Sequence, residues 1–227
     1  MNHFIFQEIL FSYDVIDSTN EEAKRLIKQN KGGLCFTVLS KTQTHGKGRM
    51  QREWVSSCDK NIYLTIAINN QLCLDIADIM PLYVAFAVIK TIGKKAQYKW
   101  VNDIIIEEKK VCGILIEKIN DFFIIGIGVN LQNNPHNTVF PAGNLKEFGI
   151  TITPEQIFTN FQNNVEIGRH FILNTLKQNF FTTKKITINQ GEFCGYFYNI
   201  NDAGNLILKQ ENGTLKEICF GDVGISL

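Results

Sequence analysis

The stretch Lys184–Leu227, "KKITINQGEFCGYFYNINDAGNLILKQENGTLKEICFGDVGISL", decides the fold class. Short apolar runs are separated by "NQGE", "DAGN" and "ENGT", the signature of brief strands joined by tight turns. It predicts a small all-β unit, read as a β-barrel over 183–227. Immediately upstream, "PEQIFTNFQNNVEIGRHFILNTLKQNFF" has apolar residues at 157, 161 and 165 and again at 172, 176 and 180. That spacing predicts two helices bent near Gly168. Residues 131–153 are polar, contain Pro135, Pro141 and Gly143, and read as a loop. "DFFIIGIGVNL" (121–131) reads as a strand, and "AQYKWVNDIIIEEKKVCGILIEKI" (96–119) as strand, short turn, strand. "LDIADIMPLYVAFAVIKTIGKK" (74–95) is a long apolar helix with Pro81 at a break or second start.

Further strands are expected at "NIYLTIAI" (61–68), "LCFTVLSKTQ" (34–43) and "HFIFQEILF" (3–11). Between the last two, "DVIDSTNEEAKRLIKQN" predicts a helix. Ser18–Glu21 and Thr19–Glu22 have capping-box spacing, and Gly32 and Gly33 supply a stop. A mixed sheet with helices over 1–182, followed by the β-module, is an α+β layout.

Composition narrows the function. The chain has 227 residues, 44% hydrophobic and 20% charged, which is the balance of a globular protein. Its 23 basic and 22 acidic side chains leave a formal net charge of +1, whereas a nucleic-acid binder carries a larger basic excess. Cys35, Cys58, Cys73, Cys112, Cys194 and Cys219 form no C-x-x-C pair, and the histidines at 3, 45, 136 and 170 show no ligand spacing, so no metal site is expected. Scattered cysteines fit buried thiols in a reducing cytoplasm. No apolar run approaches a membrane span, and "MNHFIFQEIL" lacks the pattern of a signal peptide.

Against that neutral background, Thr44–Trp54, "THGKGRMQREW", concentrates Lys47, Arg49 and Arg52. Gly46 and Gly48 permit positive φ and close backbone approach to a ligand. Lys47 and Arg49 point the same way in extended chain, and both suit phosphate. Trp54 offers a flat face to a purine. The alternative is a solvated turn with Trp54 in the core. "DSTN" at a helix start either caps that helix or bonds a neutral polar ligand. "KWVND" puts Lys99 and Asp103 on one side of a strand and turn, with Lys110 ahead of "VCGILIE". "GIGVN" lacks the third glycine of a dinucleotide fingerprint.

Taken in order, "DSTN", "QTHGKGRMQREW", "NIYLTIAI", "KWVNDIIIEEKKVCGILIE", "GIGVNL" and a terminal β-module resemble a biotin protein ligase over essentially the whole chain. The resemblance implies a class II synthetase-like catalytic domain and an SH3-like barrel. It implies an enzyme that activates biotin as biotinyl-AMP and transfers it to a lysine of a biotin carboxyl carrier protein. By resemblance, Ser18, Thr19, Asn20 and Gln43 surround the ureido head, and Gly46, Lys47, Gly48 and Arg49 close over biotin and the acyl phosphate. Trp54 flanks the adenine, Lys110 meets the biotin carboxylate, and Lys99 and Asn102, with Asp103 beside them, lie near the nucleotide phosphates. Gly113 and Asn130 join the ligand-binding set, and Lys110 and Arg49 are the catalytic cations.

The implied ligands are biotin and ATP with substrate-bound Mg2+, in a cytoplasmic enzyme with no nucleic-acid or membrane partner. A homodimer is compatible with this reading. Departures from the family pattern are Lys47 for an arginine, Val101 for the proline of "KWPND", and Met50–Gln51 for an Arg-Gly. The chain opens at the catalytic region, so a repressor role is not expected. Rival readings are a lipoate or octanoate ligase or transferase of related fold, a nucleic-acid-binding module, and a catalytically dead biotin binder.

Overall fold

The computed structural model describes residues 9–56, 60–135, 138, 140–164 and 167–225. Its larger sheet is mixed. In chain order it comprises β1 (Leu10–Ile16), β2 (Cys35–Gln43), β3 (Ile62–Asn69), β4 (Gln97–Lys99), β5 (Asp103–Ile106), β6 (Lys109–Ile119) and β7 (Phe122–Val129). The spatial order is β1-β2-β3-β7-β6-β5-β4. Within this sheet only β1 and β2 run parallel, because helix α1 (Thr19–Lys28) carries the chain back between them; the other pairs are antiparallel.

Alternation assigns the two faces. Leu64, Ile66 and Ile68 of β3, Ile125 and Ile127 of β7 and Ile114 of β6 are buried in the main core with α2 (Met80–Ile92), α3 (Pro154–Asn163) and α4 (Arg169–Gln178). The opposite face holds Phe36 and Val38 of β2, Ala67 of β3 and Ile124 of β7, which pack under Ala23, Leu26 and Ile27 of α1. Helix α1 covers only part of this second face, and the uncovered part lies beside its N-terminus.

The second sheet is antiparallel and comprises β8 (Ile186–Ile188), β9 (Phe193–Ile200), β10 (Leu206–Lys209), β11 (Leu215–Ile218) and β12 (Val223–Ile225), in the order β11-β10-β9-β8-β12. Its Ile186, Ile188, Ile200, Leu206, Leu208 and Val223 belong to the same buried cluster as the large sheet. Phe197 stacks on Phe180 at 3.8 Å, and Trp100 Nε1 donates to the Gly204 carbonyl at 3.1 Å.

Several expectations change. Most of "HFIFQEILF" lies outside the described residues, and β1 instead runs on through Asp14–Ile16 to the edge of α1. Neither expected capping box forms at α1: the Ser18 side chain makes no capping bond, Glu21 pairs with Lys24, and Glu22 with Arg25. The helix stops at Lys28, before the glycines, because Asn30 takes the left-handed turn at φ 55°. The segment 96–119 makes three strands, since the turn after Lys99 folds β4 back onto β5. The long apolar helix is a 3-10 turn, Leu74–Ile79, followed by α2 with Pro81 in its first turn, where its missing N–H costs nothing. Cys35, Cys73 and Cys112 are buried, but Cys194 is half-buried and Cys219 exposed; Cys58 lies outside the described residues, as do His3 and His136.

Candidate functional site

Register builds the site. On the face that α1 leaves open, one row across the sheet reads Ser40, Tyr63, Gly128, Gly113, Asp103 and Lys99, each paired with the next. The adjacent row reads Val38, Thr65, Gly126 and Leu115. Gly113, Gly126 and Gly128 therefore form a floor without side chains. A Cβ at Gly113 or Gly128 would collide with the Trp54 ring, and one at Gly126 with the Asn20 amide. The repeat "IGIGV" explains this: isoleucines enter the core and glycines face the cleft.

Beside this floor lies a buried polar cluster. Thr19 N–H donates to Gln43 Oε1 at 2.8 Å, and Gln43 Nε2 donates to Ser56 Oγ at 2.9 Å. Ser56 passes its own hydrogen to the Trp54 carbonyl at 3.0 Å. Asn20 Nδ2 donates to Glu117 Oε2 at 2.9 Å. Both amides thus turn their oxygens toward Thr19 and Thr65. The oxygens run Asn20 Oδ1, Thr65 Oγ1, Thr19 Oγ1, Gln43 Oε1 at spacings of 2.7, 2.8 and 3.1 Å. Each hydroxyl has a single hydrogen, and with the Thr19 N–H on Gln43 these hydrogens are all spent inside the cluster, while its oxygens keep lone pairs to spare. The cluster has acceptors to spare and no free donor, and it suits a ligand that brings N–H groups.

At the other end of the floor, Asp103 is buried between two ammonium groups. Lys110 Nζ is 2.7 Å from Oδ1 and Lys99 Nζ 3.2 Å from Oδ2. Burial alone would push the Asp103 carboxyl up, but the charges of Lys110 and Lys99 outweigh it and hold the group below the usual carboxylate range. Two cations share one anion, so one positive charge is left over. Lys110 Nζ also sits 5.4 Å from the Trp54 ring centroid. The Trp54 Nε1–H is buried with no partner among the described residues.

The basic loop is a compact hairpin. Gly48 N–H donates to the Arg52 carbonyl at 2.7 Å, and Trp54 N–H to that of Gly46 at 2.9 Å. Neither Gly46 nor Gly48 needs positive φ, contrary to the sequence expectation; Gly48 is at φ −116°. The left-handed positions are Met50 and Gln51, at φ 52° and 59°. Gly46 is required by close approach instead, since a Cβ there would meet Ser56 Oγ at 2.6 Å. Lys47 Nζ reaches Glu21 at 2.6 Å. Arg49 Nη1 lies 3.2 Å from Asn102 Oδ1 and 3.3 Å from Asp222 Oδ1, while Arg52 Nη2 is 2.5 Å from Asp222 Oδ2. The sheet-turn residue Asn102 is itself tied to β6 through the Ile114 carbonyl at 2.9 Å. Asn130 gives both amide hydrogens to backbone, at the Lys110 and Gly143 carbonyls, and so braces Lys110.

The geometry thus gathers Thr19, Asn20 and Gln43 at one end, with the buried Ser18 next to them in the chain, and Lys99, Lys110, Arg49 and Asn102 at the other, with Trp54 and Gly113 between. Sequence reading missed Thr65, Glu117, Ser56, Gly126, Gly128 and Asp222. Only the two glycines left a signal, through their period of two on an apolar strand.

Residues 12–132 match the model of the biotin/lipoate A/B protein ligase family. The bifunctional ligase/repressor BirA of Bacillus subtilis is 29% identical over 245 residues, covering 94% of this chain and 73% of that protein. The biotin--[acetyl-CoA-carboxylase] ligase of Paracoccus denitrificans is 29% identical, covering 90% and 98%. Among solved structures, the biotin protein ligase of Aquifex aeolicus with biotin and ATP superposes with a TM-score of 0.76 at 24% identity, covering 97% of this chain and 99% of that one. That of Leishmania major with biotinyl-5-AMP gives 0.67 at 23% identity, covering 93% and 98%. At these identities the superpositions establish a shared fold.

Proposed function

This chain belongs to the biotin/lipoate A/B protein ligase family, and from that membership we propose that it is an ATP-dependent biotin protein ligase. The observation that carries biotin over lipoate is the donor-poor cluster of Asn20, Thr65, Thr19 and Gln43. A ureido ring brings two N–H groups to it; a dithiolane or a plain acyl chain brings none. The spare lone pairs can bond the ureido N–H groups and gain nothing from an apolar tail, so the cluster discriminates by what it accepts.

The rest of the cleft suits the chemistry. A biotin carboxylate oxygen attacks the α-phosphorus of ATP, the bond to the β-phosphate bridging oxygen breaks, and pyrophosphate leaves. Two anions must approach, and the surplus charge of Lys110 with Lys99, together with that of Arg49 with Arg52, offsets their repulsion. In this reading Lys110 faces the carboxylate, Arg49 and Asn102 face the phosphates, and Trp54 lies along the adenylate. Mg2+ enters as part of the substrate, on the ATP phosphates. The loop from Gly46 to Arg49 then shields the mixed anhydride from water. In the second step a carrier lysine amine attacks the acyl carbon, the bond to AMP breaks, and the amine loses its proton. The acceptor is a biotin carboxyl carrier domain of a carboxylase, served by a catalytic unit over 1–182 with the β-module of 183–227 beside it.

The test is incubation of the protein with ATP, a carrier domain and either labelled biotin or labelled lipoate. Label from biotin alone is expected. Transfer of lipoate but not biotin would overturn the assignment.

A further inference from the structure

Glu117 lies on β6 opposite Ile124 of β7, under the first turns of α1. One carboxylate oxygen accepts from Asn20 Nδ2 at 2.9 Å and the other pairs with Lys24 Nζ at 2.8 Å. Asn20 and Lys24 are four residues apart and share a helix face, so a single carboxylate bridges both. Lys24 also pairs with Glu21 at 2.8 Å, and Glu21 with Lys47 of the basic loop at 2.6 Å.

The consequence is an orientation. A carboxylate only accepts, so it requires the NH2 side of the Asn20 amide. A flipped Asn20 would set oxygen against oxygen at the 2.9 Å contact, in a residue that is only 3% exposed. The same flip would turn the NH2 toward Thr65 and replace an acceptor of the cradle with a donor. The cradle would then no longer call for a donor ligand.

We propose that Glu117 is a positioning residue that determines ligand choice: it holds Asn20 with its oxygen toward the cleft and so makes the cradle selective for N–H donors. This rests on the biotin reading above. Glu117→Gln removes the constraint, because a glutamine amide can pair with either face of Asn20.

In the full-length chain, Glu117→Gln should raise KM for biotin about tenfold while leaving kcat and the KM for ATP unchanged. The preference for biotin over lipoate should narrow by a similar factor. The double variant Asn20→Asp with Glu117→Gln offers an oxygen on both sides and should restore KM for biotin to within about threefold of the parent. A biotin KM within twofold of the parent in the single variant would overturn the proposal. So would a parallel rise in both KM values, which marks general loosening, or a double variant without recovery. A second readout needs no biotin: in the ligand-free protein the Asn20 side-chain amide, assigned by its loss in Asn20→Ala, should give a slowly exchanging 15N–1H pair whose chemical shifts move in Glu117→Gln as its partner changes, and an unmoved pair would overturn the orienting role. A parent that binds no biotin would sink the functional reading, while this signal still decides whether Glu117 orients Asn20.

Discussion

Lys110 owes its position to three hydrogen bonds on its own backbone, two from main chain and one from a side-chain amide. Its N–H donates to the Pro141 carbonyl at 2.7 Å, and its own carbonyl accepts from Gly143 at 3.0 Å and from Asn130 Nδ2 at 3.3 Å. Lys110→Ala therefore keeps the strand and removes only the charge. We expect pyrophosphate release to fall at least a hundredfold, as for loss of a cation at a developing charge; an unchanged rate would remove the lysine from the chemistry. Asp103 tests the same cluster from the other side. Asp103→Asn leaves the buried Lys99 and half-buried Lys110 ammonium groups without their shared anion and should cost about 3–5 kcal/mol at pH 7 by urea denaturation. The native carboxyl is held below its unfolded value of about 3.9, so its stabilisation is present above that pH and is lost as pH falls through the lower folded value. The gap between parent and variant should accordingly close in acid. A gap that does not narrow at all as pH falls below about 3.9 would show that packing, not charge, holds Asp103.

The basic hairpin departs from local preference. Met50 and Gln51 both occupy left-handed φ, a region that costs a side chain about 1 kcal/mol or more. A glycine in place of Gln51 would ease that strain. Gln51→Gly should stabilise the closed hairpin by about 1 kcal/mol, seen as roughly fivefold slower hydrogen exchange at Trp54 N–H. Faster exchange would mean that glycine's extra freedom in the open loop outweighs the relief. The strands tell a simpler story. "NIYLTIAI" and "DFFIIGIGV" are legible because apolar residues fill every core-facing position, whereas the β4–β5 reversal is not, since a tight turn beside Trp100 leaves no periodic mark.

At the scale of the whole molecule, the second sheet reaches back into the cleft. Asp222 meets both Arg49 and Arg52, and it is itself fixed by Asn189 Oδ1, which accepts from the Asp222 N–H at 3.2 Å. The carboxylate occupies arginines that a phosphate would otherwise use. Asp222→Asn should lower the KM for ATP about threefold and leave that for biotin unchanged, in line with a partly exposed pair. A higher KM for ATP would show that Asp222 orients the arginines rather than competing for them.

Taken alone, the sequence determined the α+β class and most strands and helices, because periodicity and turn residues are local properties, and it offered the polar and basic motifs of the two cleft ends only as candidates. Tertiary structure decided what those ends are made of. Thr65 is one threonine in an apolar strand, Glu117 one glutamate on a strand edge and Asp222 one acidic residue near the last turn. Each acquires meaning only through partners 45, 97 and 173 residues away. Strand register and sheet docking bring such groups within hydrogen-bonding distance, and no local pattern records which distant atoms a buried donor or acceptor will meet.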